Sequence, residues 1–186
     1  MRAKSVYGNT KADEIADNGI ILIALGSNLW SSPQLSPLAT CEAALFKLLE
    51  HGVIESRGSG WYASAPVPSS GQNWYINKVS VVTTELLPEE LLEALLDVEN
   101  DFNRKRSKKW GERTLDLDLL AFNEMVCENF GNHRLNLPHP RMLERRFIVE
   151  PLTEILPKWV HPICRREIKD LSQALGEDQK VLRISV

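Results

Sequence analysis

Thr114-Leu-Asp-Leu-Asp-Leu-Leu120 alternates leucine with aspartate, the period-two pattern of a strand with one apolar and one polar face. Strand character runs over Thr114–Phe122, with Leu115, Leu117 and Leu119 turned to a core. Asp116 and Asp118 share the opposite face, their Cα atoms about 6.5–7 Å apart by the rise of a strand. Two carboxylates so spaced can share one or two hard cations. Mg²⁺ takes a couple of carboxylates and completes its shell with water and substrate phosphates. A solvated amphipathic strand is the plainer reading of the same pattern.

Directly upstream, Arg104-Lys-Arg-Ser-Lys-Lys-Trp-Gly-Glu-Arg113 holds six cations in ten residues. Alone it reads as a solvated charge run, or as a nucleic-acid patch with Trp110 stacking on a base. Beside paired carboxylates it also suits a phosphate chain, because phosphoryl transfer rests on positioning and on charge spread over Arg, Lys and Mg²⁺. The sequence contains no P-loop and no kinase HRD or DFG motif.

The remaining elements frame this strand. Ile20–Leu25 reads as a buried strand ending in Gly26-Ser-Asn28. Pro37–Glu50 reads as a helix with Leu38, Cys41, Leu45, Leu48 and Leu49 on its apolar side and Gly52 as its stop. Val53–Ser64 has mixed strand character, and Ala65–Asn73 is a loop. Trp74–Thr84 alternates, with Tyr75, Asn77, Val79, Val81 and Thr83 on one face. Pro88–Phe102 is the clearest helix, with Glu89 and Glu90 at its positive end and Leu91, Leu92, Leu95, Val98 and Phe102 as its stripe. Beyond Met142 come one or two short helices and a last strand at Val181–Val186. The order strand, helix, strand, strand, helix, strand is the split βαβ or ferredoxin-like plan. It predicts an α+β fold with one antiparallel sheet and helices on one face, grown to three αβα layers by the C-terminal additions.

Composition sets the outer limits. The chain has 186 residues, 43% hydrophobic and 25% charged, with a net charge of −3. That suits one globular domain over 20–186 behind a polar, flexible arm at 1–19. A nucleic-acid role would need a local basic patch rather than the overall charge. No apolar run approaches the ~20 residues of a membrane span. Cys41, Cys127 and Cys164 form no CxxC pair, which argues against a disulfide framework or zinc site and for a reducing compartment, the cytoplasm.

Five blocks in order resemble the 6-hydroxymethyl-7,8-dihydropterin pyrophosphokinases. They are Ala24-Leu-Gly-Ser-Asn-Leu29; Tyr62–Pro66 with Trp74-Tyr-Ile-Asn77; Glu99 with Arg104 and Arg106; Trp110-Gly-Glu-Arg-Thr-Leu-Asp-Leu-Asp-Leu-Leu120; and Pro138–Phe147 with Pro151–Ile155. The resemblance covers about residues 20–162. The family usually has Gly where Asn103 stands, Arg at Lys109 and Pro at Glu112.

The resemblance implies transfer of pyrophosphate from ATP to 6-hydroxymethyl-7,8-dihydropterin, giving AMP and the pterin diphosphate in folate biosynthesis. It implies two Mg²⁺ ions on Asp116 and Asp118, one bridging the α- and β-phosphates, the other bridging β and γ and lowering the pKa of the attacking hydroxyl. Arg104 and Arg113 would act in catalysis, and Arg104, Arg106, Arg113, His139 and Arg145 would bind ATP. Ser64, Ala65, Val67, Tyr75, Asn77, Trp110 and Phe147 would bind the pterin, with Asn77 on its amide edge and Trp110 closing over the substrates as loop 104–113 orders. His139 also reads as a structural loop residue and Phe147 as core. Glu99 is either a site carboxylate or a structural one. The enzyme is expected to be a monofunctional, cytoplasmic monomer acting on small molecules, with no nucleic acid or membrane partner. Two alternatives stand beside it: a nucleic-acid-binding ferredoxin-like module, and a paralogue that binds these ligands without turnover.

Overall fold

The computed structural model describes residues 19–66, 71–102, 113–132, 135–176 and 179–185. Strand β1 (Ile21–Ser27) is followed by helix α1 (Pro37–Glu50), strands β2 (Ile54–Gly58), β3 (Trp61–Ser64) and β4 (Tyr75–Thr83), and helix α2 (Pro88–Asp101). Strands β5 (Asp116–Phe122), β6 (Cys127–Phe130) and β7 (Leu135–Leu137) come next. A 3-10 turn at Met142–Glu144, helices α3 (Arg146–Ile155) and α4 (Ile168–Ala174), and strand β8 (Val181–Ile184) complete the described chain.

The main sheet runs β5-β1-β4-β3-β8, with β2 also paired to β4, and every pair is antiparallel. β2 and β3 lie end to end along β4, Ile54 facing Thr83 at one end and Ser64 facing Tyr75 at the other. The expected strand over 53–64 is thus two pieces, broken at Ser59-Gly60, where the Ser59 N–H still reaches the Val79 carbonyl at 2.9 Å. Taking those pieces as one strand restores the predicted split βαβ plan.

Helix ends follow local chemistry. The Ser36 hydroxyl accepts the Ala39 N–H, Pro37 takes the first turn, and Gly52 at φ +72° provides the left-handed stop. In α2 the Glu90 carboxylate reaches back to the Leu87 N–H at 2.7 Å. The buried stripe of α1 is Thr40, Cys41, Ala44 and Leu48, shifted from the expected one, so Leu49 is exposed. The hairpin of β6 and β7 had no counterpart in the sequence reading.

Two cores sandwich the sheet. On one face Ile21, Ile23, Leu25, Leu115, Leu117 and Leu119 meet Leu48 of α1 and Leu91, Leu95 and Val98 of α2. On the other, Leu22, Val79, Val81 and Leu120 meet Ile148, Val149 and Leu152 of α3 and Ile168 of α4. Each fully buried aliphatic side chain stabilises the fold by roughly 1.5–3 kcal/mol. Leu119 and Leu120 serve opposite cores by ordinary strand alternation, and a bulge then breaks the period: Ile23 pairs with Leu119 but Leu22 with Ala121, so Leu120 and Ala121 both belong to the α3-side core. Cys41, Cys127 and Cys164 are free thiols, and burial pushes Cys41 up to about 12.

Candidate active site

The second core stops halfway along the strands. Above Leu120, β5 offers Asp118 and Asp116 to the α3 side; above Val79, β4 offers Asn77 and Tyr75. Between them β1 offers Ala24 and Gly26, which pair with Asp118 and Asp116 on one flank and with Val79 and Asn77 on the other. The result is a cavity of about 520 Å³ walled by Ala24, Gly26, Tyr75, Asn77, Asp116 and Asp118 together with Ser64, Ala65, Gln72, Arg113, Arg141, Glu144, Arg145, Phe147 and Gln179. That volume suits a small-molecule ligand.

Gly26 forms the floor between the two ends of the cavity. A Cβ there would lie 3.5 Å from Asn77 Oδ1 and 3.9 Å from Asp116 Cβ. At the ring-sized end, Asn77 is buried and its amide nitrogen donates to Ser64 Oγ at 2.9 Å. That bond commits the amide donor and turns the oxygen toward Gly26. Tyr75 and Phe147 wall the same cavity.

At the charged end each carboxylate has an arginine. Arg113 donates to Asp116, and Arg145 donates to Asp118 Oδ2 at 3.0 Å. Burial acts to lower the Arg113 pKa, but the charge and hydrogen bond of Asp116, with Asp118 behind it, outweigh this and raise it. The loop after β1 fixes Arg113: Asn28 Oδ1 accepts its N–H at 2.7 Å, and the Asn28 and Leu29 N–H groups donate to its carbonyl. The Asn28 amide also donates to the Asn73 carbonyl, tying together the segments that bear Arg113 and Tyr75.

Glu99 belongs to the support of the site. Its buried Oε1 accepts the Leu117 N–H at 2.6 Å, the backbone donor between Asp116 and Asp118 on the outer edge of the sheet. His139 is not among the residues walling the cavity. Its N–H donates to the Leu120 carbonyl, and its Nδ1 accepts the Arg141 N–H at 3.2 Å. Burial lowers its pKa; Asp118 opposes this, while Arg145 and Arg141 add to it.

Arg113, Asp116, Asp118, Arg145, Ser64, Ala65, Tyr75, Asn77 and Phe147 all meet at this one cavity. Arg104, Arg106, Val67 and Trp110 lie outside the described residues, as do Asn103, Lys109 and Glu112. Sequence reasoning missed Gln72, Arg141, Glu144 and Gln179. The first three sit within a few residues of assigned positions. Gln179 carried no motif at all.

Comparisons with known proteins bear on the family and the fold. A family model of 7,8-dihydro-6-hydroxymethylpterin-pyrophosphokinase matches residues 22–157. The 2-amino-4-hydroxy-6-hydroxymethyldihydropteridine pyrophosphokinase of Synechocystis is 40% identical over 150 residues, 81% of this chain and 73% of that one. The Bacillus subtilis protein of the same name is 35% identical over 168 residues, 90% of each chain. A crystal structure of wild-type Plasmodium falciparum HPPK-DHPS superposes with a TM-score of 0.65 at 14% identity, covering 90% of this chain and 48% of that one. The chain thus spans about half of the Plasmodium protein, whose likeness bears on the fold alone. The curated relatives and the family model agree across most of the chain, and it belongs to the 7,8-dihydro-6-hydroxymethylpterin pyrophosphokinase family.

Proposed function

We propose that this chain transfers the pyrophosphoryl group of ATP to the hydroxyl of 6-hydroxymethyl-7,8-dihydropterin, releasing AMP. The observation that carries the reading is one cavity with two chemically distinct ends. Asp116, Asp118, Arg113 and Arg145 stand at one, Asn77, Tyr75 and Phe147 at the other, and a side-chain-free Gly26 lies between. A flat heterocycle fits the second end and a phosphate chain the first.

Charge supports Mg²⁺ as the companion of the nucleotide. Among the described residues the cavity is walled by Arg113, Arg141 and Arg145 against Asp116, Asp118 and Glu144, a formal balance of zero. These six side chains offer a polyphosphate no net positive charge, which leaves a role for bound cations. No group of three or more His, Cys, Asp or Glu forms a cage among the described residues. Two hard carboxylates in an open site are the donor set Mg²⁺ uses when water and phosphate oxygens complete its shell. Asp116 and Asp118 would hold two such ions, which when bound neutralise phosphate charge and make a coordinated hydroxyl more acidic.

The protein's own groups do the rest. Arg113 and Arg145 exchange their carboxylate partners for phosphate oxygens, staying cationic throughout. The Asn77 oxygen accepts a hydrogen bond from the amide edge of the ring, while Ser64 keeps the amide oriented. Tyr75 and Phe147 hold the ring so that its hydroxymethyl group points past Gly26 toward the phosphates. His139, its pKa lowered by burial and its Nδ1 accepting the Arg141 N–H, would keep Nε2–H for a phosphate oxygen.

We take the enzyme to work as a monomer in the cytoplasm, on small molecules rather than nucleic acid or membrane, with residues 20–186 as its single domain and 1–19 as an arm. The modest net charge of −3 supports a small-molecule role. Among the described residues no helix is long and apolar enough to cross a membrane. Incubation with MgATP and the hydroxymethyl pterin should yield AMP and the pterin diphosphate. Formation of ADP instead would mean transfer of a single phosphoryl group and would overturn the reading.

A further inference from the structure

We infer that Gln179, in the C-terminal segment beyond the family match, is a positioning residue for Arg145. The inference rests on the function proposed above. Its basis is a two-point clamp. Gln179 Nε2 donates to the Glu144 carbonyl at 2.7 Å, and Gln179 Oε1 accepts the Arg146 N–H at 3.0 Å. The two bonds grip the chain on either side of Arg145.

Main-chain bonds support that stretch locally: the Arg145 N–H reaches the Met142 carbonyl at 3.4 Å, and the Arg145 carbonyl accepts from the Ile148 and Val149 N–H groups. Arg145 is extended at φ −110° and ψ 104°, a single joint between the 3-10 turn and α3, and its side chain makes no capping bond. The first N–H groups of a helix need an acceptor. Gln179 supplies one from 33 residues away. The side chain so held is the one that matters at the charged end: Arg145 donates to Asp118 at 3.0 Å, its guanidinium 5.6 Å from the Phe147 ring centre.

The same segment also builds the opposite wall, by its backbone. The Lys180 carbonyl accepts the Ala65 N–H at 3.0 Å, and Val181–Ile184 pairs with Ser64–Trp61. Residues 179–184 therefore strap the ring side of the cavity to the arginine side. The strap's side chain serves Arg145 and its main chain serves β3. This division makes the claim testable, since removing the Gln179 side chain leaves the β8 ladder in place.

The experiment is a double-mutant cycle of Gln179→Ala and Arg145→Ala, read by the calorimetric affinities for MgATP and for the hydroxymethyl pterin, by AMP formation, and by melting temperature. Gln179→Ala alone should weaken MgATP about tenfold and lower turnover, with pterin affinity within about twofold. In the Arg145→Ala background it should change MgATP affinity no further. Equal losses in both backgrounds, or a larger loss for pterin than for MgATP, would overturn the inference. Gln179→Glu keeps the acceptor for Arg146 but not the donor for Glu144, and should fall between wild type and Gln179→Ala; wild-type behaviour would overturn the two-point clamp. Wild-type protein that binds MgATP yet forms no AMP would refute the proposed reaction while the binding cycle still tests the clamp. Wild-type protein that binds no MgATP would refute both.

Discussion

The two faces of the central sheet are built from the same strands and treated differently. The face under α1 and α2 is apolar along its length, from Ile21, Ile23 and Leu25 across to Leu115, Leu117 and Leu119. The face under α3 is apolar only over its lower half, and Asp116, Asp118, Asn77 and Gly26 then replace Leu, Val and Ala. Alternation along a strand allows this, because each residue changed on one face leaves its neighbours on the other untouched. One face carries the stability that lets the other expose carboxylates and an empty glycine.

The comparison predicts that activity and stability separate cleanly between the faces. The largest effect belongs to Asp116→Ala or Asp118→Ala, each expected to cut AMP formation by at least about a thousandfold while the fold persists. Turnover assays with circular dichroism would check this, and near-normal kcat in either variant would break the comparison. On the packed face, Leu95→Ala in α2, fully buried, should cost about 2–5 kcal/mol in urea unfolding yet leave kcat of the folded fraction near wild type. A milder test probes the border. In Gly26→Ala the new methyl would meet only ordinary contacts, so the protein should melt within a few degrees of wild type. The methyl nonetheless occupies the floor between Asn77 and Asp116, and steady-state kinetics should show a several-fold higher KM for the pterin.

Much of this was legible in the sequence where the physics is local. The alternation of Leu115–Leu119 with Asp116 and Asp118 gave the faces of β5, and Tyr75, Asn77, Val79 and Val81 did so for β4. Pro37 located the start of α1, and Pro88 with Glu89 and Glu90 that of α2, with both helices read to within a residue. What escaped depends on distant pairing. The bulge at Leu120 is a register shift against β1. The break at Ser59-Gly60 appears only when both halves align on β4. The hairpin of β6 and β7 has largely exposed residues in its first strand, which leaves no periodicity to read. Gln179 is an ordinary polar residue until β8 brings it against Glu144 and Arg146. Arg141 walls the cavity two residues after His139, and nothing in the Pro138–Phe147 block set it apart from its neighbours.

The division of the half-polar face into a phosphate end and a ring end is most directly tested by crossing one variant from each. Calorimetry would measure MgATP and hydroxymethyl pterin binding to Asn77→Ala and to Asp118→Ala. Asn77→Ala should lose about tenfold in pterin affinity and little for MgATP, and Asp118→Ala should show the reverse. Equal weakening of both ligands by either substitution, or the opposite order, would contradict the account.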